Sequence, residues 1–551
     1  MTSSDKLRPG SSRDTDRNRP RVTDPEVRSA AGPVLAIMAV TTLLLLARCA
    51  RYDYFGDELY FLSAGRRLSP GYVDQGPVVP LLARTADLIA PNSLLALRIP
   101  SILAGAAAIA VTAATARELG GGRTAQALAA LAYAGCPFLI TQTATLSTFA
   151  FDSTLSATAV WLLIRWTAHP ESRWGAGSPA DRQRSMGWWG HRDRLLVSAA
   201  LVVAVDLQVK LLSVVLLTGL GIGVLVAGPR SMLRRPALWA GSSLVIVSAA
   251  PLLWWQFDHG WPQLAMGAVV DQEQRAATGG VGGLPIQFAL LAGLLGVPLA
   301  LIGFWTLSTA PIRRPYRFVA IAAATDLVFV LVVDGRPYYL AGFLPVLFAA
   351  GTTQVCSSMR RIRSSAPGAV LVGLTALTTV LAIAIICVLP LPASRLHDPT
   401  ESRTELSTRM RLFGTTGWTH LAAAVITAYG EIPTERREHT VVITQNYWQA
   451  AALENLATPT LPVYSPNRGF AMFGIPSDTA TTALYVTTGS AEASLRRSFS
   501  DVTPLIHLDD RLGFPGIDRG VTVWRCDRPL RPWPTLWAEV TTYVFDDRSL
   551  P

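Results

Sequence analysis

Eleven apolar stretches, each close to the length of a bilayer crossing, constrain this chain more than any other feature. They lie near 33–50, 95–116, 124–140, 146–166, 195–209, 211–227, 237–256, 285–308, 318–333, 338–354 and 367–390. A helix needs about 20 mainly apolar residues, at about 1.5 Å each, to span a hydrocarbon layer of about 30 Å. With 50% hydrophobic and 16% charged residues and a mean hydropathy of +0.33, the composition is that of a polytopic α-helical membrane protein with about 11 transmembrane helices. The net charge of +10 sits in short clusters between apolar runs, a topology signal rather than a nucleic-acid surface. Cys49, Cys136, Cys356, Cys387 and Cys526 are scattered, with no disulfide or zinc spacing.

The tail 1–32, rich in Arg, Asp, Ser and Pro, is expected to be disordered and cytoplasmic. The run after it lacks a convincing small-residue cleavage site and reads as an uncleaved first span. With the N-terminus inside, the cytoplasmic links hold Arg117 and Arg123; Arg165, Arg173, Arg182, Arg184, Arg192 and Arg194; Arg230, Arg234 and Arg235; Arg313, Arg314 and Arg317; and Arg360, Arg361 and Arg363. The opposite loops hold Arg51, Arg66, Arg67, Arg84 and Arg98 in the first, then only Lys210, Arg275 and Arg336. That bias favours a cytoplasmic N-terminus. The long first loop 51–94 and everything after about Pro390 then lie outside. The link 167–193, with Trp188 and Trp189, reads as a flexible cytoplasmic connection. Over 391–551 the pattern changes to short β-rich runs, "HTVVITQ", "LPVYS", "TALYVTT" and "GVTVWRC", separated by helix-like segments such as "YWQAAALENLA" and "AEASLRRSF". An extracytoplasmic α/β domain is expected there.

Polar residues concentrate on the outer side. In "RYDYFGDELYFLSAGRR" the pair Asp57 and Glu58 serves either as a helix cap or as a general base at the membrane edge. Asp152, inside the fourth span, and Asp326, inside the ninth, are costly in hydrocarbon and face a partner, a cavity or a site. Asp206 and Lys210, spaced i, i+4, pair on a continuous helix; otherwise Lys210 is free to meet an anion. Arg336, Tyr338 and Tyr339 stand in an outer turn, as aromatic-belt residues or as a phosphate site. Asp258 and His259 close the seventh span, and a lone His is a poor metal site.

"GDELYF", "VDQGPVVPLL", "TFAFDSTLSAT", "DLQVKLLSVVLL" and "GRPYYLAGFLPVLFAAG" together resemble motifs of the bacterial membrane glycosyltransferases related to the dolichyl-phosphate-mannose protein mannosyltransferases and the lipid A aminoarabinose transferases. The resemblance covers about 30–390 and implies the glycosyltransferase C fold. It implies Asp57 as catalytic base with Glu58 beside it. Asp74, Asp152, Lys210, Arg336, Tyr338 and Tyr339 become candidates for binding the donor and its phosphate. Gly76 and Gln75 depart from the family's Pro and His, and Leu211 to Ser213 from its Gly-Pro. "TQNYWQAAALENL" and "VYSPNRGFAMFGIP" are similar to Asn-Tyr-rich segments of actinobacterial members. The implied partners are a polyprenyl-phosphate sugar donor, an envelope glycan, lipid or protein acceptor, and membrane lipids, with no nucleic acid. No certain cofactor follows, and a divalent metal stays open. Two other readings are a transporter or flippase built around Asp152 and Asp326, and a non-catalytic scaffold that binds envelope polymers.

Overall fold

The structure is a computed structural model that describes residues 29–168, 191–278, 280–361, 366–458 and 461–545. The expected tail up to residue 28, and 169–190 with Trp188 and Trp189, lie outside the described residues.

In chain order the helices are α1 (Ala31–Arg48), α2 (Gly56–Gly65), α3 (Val78–Ile89), α4 (Leu94–Glu118), α5 (Arg123–Ala134), α6 (Pro137–Thr143), α7 (Thr148–Ala168), α8 (His191–Leu207) and α9 (Ser213–Ala227). They continue with α10 (Pro236–Asp258), α11 (Pro262–Thr278), α12 (Leu284–Thr309), α13 (Arg317–Val332), α14 (Leu344–Met359) and α15 (Ala366–Val388). Every expected apolar stretch coincides with one of these helices or with the bent pair α5–α6. Among the described residues, seven helices are long and apolar enough to cross a membrane, and α5–α6, bent by 54°, make an eighth. The bend falls where Pro137 opens α6, because proline cannot continue the hydrogen-bond ladder from the preceding turn.

Burial orders the bundle. Of the most apolar window in 337–359, 72% is buried, against 17% in α1 and in α15. α14 is therefore central, and α1 and α15 turn apolar side chains outward, as lipid-facing helices do.

After the helices the chain builds α16 (Arg403–Phe413), α17 (Trp418–Gly430), α18 (Tyr447–Leu456), α19 (Trp533–Val540) and one five-stranded sheet. The strands are β1 (Thr440–Thr444), β2 (Val463–Tyr464), β3 (Thr482–Thr488), β4 (Phe499–Asp509) and β5 (Arg519–Pro529), in the order β2-β1-β3-β5-β4. β2, β1 and β3 run parallel, while β5 and β4 add antiparallel strands. The four expected β runs are all present. β4 is an addition, and "AEASLRRSF" yields one short turn, Glu492–Leu495.

The first loop is packed into this region. Leu59, Tyr60 and Leu62 of α2 share one buried cluster with Trp418, Leu421, Tyr447 and Leu453. Thr415 Oγ1 and Trp418 Nε1 both donate to the Tyr54 carbonyl, at 2.6 and 2.8 Å. These contacts hold the start of α2 against the start of α17 and against α18.

Candidate active site

Asp57 and Glu58 occupy successive positions at the start of α2, and the helix turns them in different directions. Phe55 is the N-cap, and the capping carboxylate is Glu58, whose Oε2 accepts from the Phe55 N–H at 3.0 Å. Glu58 is fully buried with Arg98 of α4. The guanidinium grips it through two bonds of 2.8 and 2.6 Å, and Leu146 N–H adds another at 2.8 Å. Arg98 also donates to the Cys49, Tyr52 and Asp53 carbonyls. This pair fastens the first loop to α4 and to the segment before α7. The capping expected of the acidic pair thus falls to Glu58 and not to Asp57.

Asp57 instead faces α18. Its Oδ1 accepts from Tyr447 Oη at 2.7 Å and from Trp448 Nε1 at 2.9 Å. Among the described residues Oδ2 accepts no hydrogen bond. A Cβ at Gly56 would lie 2.1 Å from the Trp448 ring, so only glycine lets the indole reach the carboxylate. Tyr447 continues outward: Arg468 lies over its ring at 5.4 Å and reaches its Oη at 3.5 Å. Arg468 is paired with Glu273 of α11, whose other oxygen lies 3.8 Å from Arg336. Arg336 Nη1 donates to Tyr338 Oη at 2.6 Å.

Lys210 lies in the turn between α8 and α9, outside the spanning helices. The i, i+4 ion pair with Asp206, one of the two readings of this spacing, does not form: the Lys210 N–H still donates to the Asp206 carbonyl at 2.9 Å, but the two side chains take other partners. Asp206 instead accepts from Ser156 Oγ at 2.9 Å. The Lys210 ammonium sits over the Phe149 ring at 3.8 Å and faces Tyr339 at 5.9 Å. Burial lowers its pKa to about 8, against the opposing pull of Asp152 and Asp74. The "VDQGP" segment docks directly on this turn. Gly76 N–H donates to the Val209 carbonyl at 3.1 Å and Val78 N–H to that of Gln208 at 3.2 Å. A Cβ at Gly76 would meet the Gln208 carbonyl oxygen at 2.0 Å, which accounts for glycine here. Asp74 is thereby brought beside Lys210 and Asp57, with Tyr60 Oη 3.5 Å away. Burial, helped by the charge of Asp57, raises its pKa to about 6.

A cavity of about 530 Å³ joins these parts. Asp57, Arg336, Tyr338 and Phe149 line it, together with the charged Arg48, Asp53 and Arg411 and the apolar Leu45, Ile140, Ile385, Ile386 and Leu389 of α1, α6 and the α15 end. Asp57, Arg336 and Tyr338 thus share one space. Lys210 lies behind Phe149, and Asp152, Asp326 and Tyr339 line a separate, water-sized cavity with Ser156 and Ser213. Asp258 and His259 contact each other and Trp255 away from this space. Among the described residues no group of three or more His, Cys, Asp or Glu is placed to hold a metal ion. Tyr447, Trp448, Arg468 and Glu273 belong to this network although the sequence does not single them out as site residues. The first three fall inside the two C-terminal segments whose similarity had been noted, whereas "DQEQR" around Glu273 carried no signal.

Comparison with known proteins bears on this arrangement. Residues 74–180 match the family model described as dolichyl-phosphate-mannose-protein mannosyltransferase. No curated protein matches the sequence. The fold is similar to ArnT from Cupriavidus metallidurans in the apo state (TM-score 0.57, 15% identity, 90% of this chain and 98% of that one). It is also similar to the same protein bound to undecaprenyl phosphate (TM-score 0.55, 14% identity, with the same shares covered). Taken with the apolar helices and the matched family segment, this makes the chain a multi-pass membrane protein of the glycosyltransferase C fold, similar to the protein mannosyltransferase and ArnT family.

Proposed function

We propose that the protein transfers a sugar, with inversion, from a polyprenyl-phosphate-linked donor to a hydroxyl of an envelope glycan, lipid or protein at the outer face of the membrane. The observation that carries this reading is the shared cavity: a carboxylate with one unoccupied oxygen faces the same space as Arg336, and that space continues into apolar walls. The apolar walls suit a polyprenyl tail, the arginine suits a phosphate, and Asp57 suits an incoming hydroxyl.

In the reaction, Asp57 Oδ2 takes the acceptor's proton as its oxygen forms a bond to the anomeric carbon. The bond from that carbon to the phosphate oxygen breaks, and polyprenyl phosphate leaves. Tyr447 and Trp448 hold the carboxylate in place, a contribution of orientation. Arg336 meets the charge that grows on the leaving phosphate, and Lys210 adds positive potential from behind Phe149. Asp74 stands between Asp57 and Lys210 as a positioning group, Asp152 supports Lys210, and Glu58 holds the loop rather than the substrate.

Read with eleven crossings, the arginine distribution favours a cytoplasmic N-terminus and a cavity and 391–551 outside. No nucleotide sugar is available there, in keeping with a lipid-linked donor. The test is mass spectrometry of envelope glycolipids and glycoproteins from cells carrying the wild type or Asp57→Asn. Loss of one glycan with the variant still present in the membrane is expected. Wild-type transfer by membranes containing Asp57→Asn would end the base assignment.

A further inference from the structure

Glu273 projects from α11, between the seventh and eighth of the eleven apolar stretches, into the cationic side of the site. Its two oxygens are bound unequally. Oε1 is paired with Arg468 and accepts from the Phe545 N–H at 3.0 Å. Oε2 is 3.8 Å from Arg336 Nη2, beyond hydrogen-bond length. Arg336 is itself incompletely satisfied: Nη1 holds Tyr338, while Nε is buried with no partner. A buried Nε without an acceptor is costly even on a side chain that is otherwise partly exposed, and an anion drawn to the guanidinium would meet it.

Arg468 gives Glu273 a fixed anchor. Its guanidinium is held by the Tyr543 carbonyl at 3.1 Å and lies over Tyr447 and Phe545. Arg336 has the opposite character, with a loose ion pair, a free donor and a place on the cavity wall. We propose that Glu273 is an internal counter-anion that keeps Arg336 at the cavity in the empty protein and yields it to the anionic group of the substrate. Glu273 is a positioning residue: it stays with Arg468, and the ligand's phosphate or other oxyanion takes Arg336. This rests on the reading of the cavity as a site for a lipid-linked phosphate.

The charge of Glu273 then competes with the ligand. Loss of a loose ion pair of this kind corresponds to about a fivefold to tenfold change in affinity. The probes are a polyprenyl monophosphate and the uncharged polyprenol of the same length, titrated into the full-length protein in nanodiscs. Glu273→Gln, which retains an oxygen for Phe545 N–H, is expected to bind the monophosphate about fivefold to tenfold more tightly and the polyprenol unchanged. In an Arg336→Gln background the same substitution should alter monophosphate binding by less than about twofold, since the coupling runs through Arg336. Unchanged or weaker monophosphate binding by Glu273→Gln would overturn the proposal, as would an equal gain without Arg336. If Glu273→Gln does not fold, Glu273→Asp serves: withdrawing the charge should tighten binding, and weakening would count against the proposal. Equal affinity of the wild type for monophosphate and polyprenol would overturn the donor reading itself, and this inference with it.

Discussion

Trp448 donates its indole N–H to Asp57 across 391 positions of chain, at 2.9 Å, and stands where any side chain on residue 56 would strike it. The carboxylate is consequently oriented by a part of the protein remote from its own helix. Gly56→Ala costs little in local conformation, since Ala is a good helix former, but its Cβ would displace the indole. Transfer activity is expected to fall more than tenfold with little change in the unfolding midpoint. Tyr447→Phe removes one hydrogen bond to a charged group, worth about 1.5 to 3 kcal/mol, and should lower kcat about tenfold or more. A Gly56→Ala enzyme with wild-type kcat would show that the Trp448 contact has no part in orienting Asp57.

The neighbouring carboxylate should respond differently. Glu58→Gln leaves the fully buried Arg98 charge without its counter-ion, a change that costs about 3 to 5 kcal/mol. Asp57→Asn leaves no buried cation unpaired. Thermal unfolding in detergent should therefore show a marked drop for Glu58→Gln and little for Asp57→Asn, while transfer activity per folded molecule falls most in Asp57→Asn. The reverse order would exchange the two roles.

This division of labour shows where sequence reasoning reaches and where it stops. The membrane architecture was legible, because hydrocarbon demands long apolar runs whatever the contacts. "GDELYF" was legible as an acid cluster, but the separate roles of its two acids depend on Arg98, Tyr447 and Trp448, which pairing in space alone assigns. Helical spacing allowed an Asp206–Lys210 pair or a free Lys210, and the second holds because Ser156 takes the Asp206 carboxylate while the ammonium turns to Phe149. β4 carries Pro504 at a register shift on the sheet edge, where a missing N–H is tolerated, and its sequence lacks a clean strand pattern. Glu273 had no local signature, since its meaning comes from two arginines contributed by distant segments.

The loops impose a pH dependence with a definite sign. Lys210, with a pKa of about 8, carries its charge below that pH and loses it above. kcat/KM for the donor should decline as pH rises through about 8, and Lys210→Arg should move that limb upward. Asp74 has a folded pKa of about 6 against an ordinary 3.8, so the folded state binds the proton more tightly than the unfolded one. The resulting penalty on folding is absent below about pH 3.8, grows between the two values and is complete above about pH 6, reaching about 2 to 3 kcal/mol. Asp74→Asn should accordingly stabilise the protein above pH 6 and not at pH 3.8. A difference in unfolding midpoint that stays constant between pH 4 and pH 8 would refute the assignment.

The apolar walls of the cavity make the last prediction. Leu45, Ile140 and Ile386 line it from three different helices, where a tail of repeated isoprene units would lie, each buried CH₂ contributing about 0.8 kcal/mol. Ile386→Trp adds bulk to this wall without adding charge. A long polyprenyl phosphate should lose about tenfold or more in affinity, the equivalent of two or so displaced methylenes. A short analogue of one or two isoprene units, seated by its phosphate at the Arg336 end, should lose less than about threefold, because the phosphate contacts lie beyond the obstruction. Arg336→Gln should weaken both ligands alike. Equal losses for long and short chains in Ile386→Trp would mean that the tail leaves the site by another route, even if the phosphate still binds at Arg336.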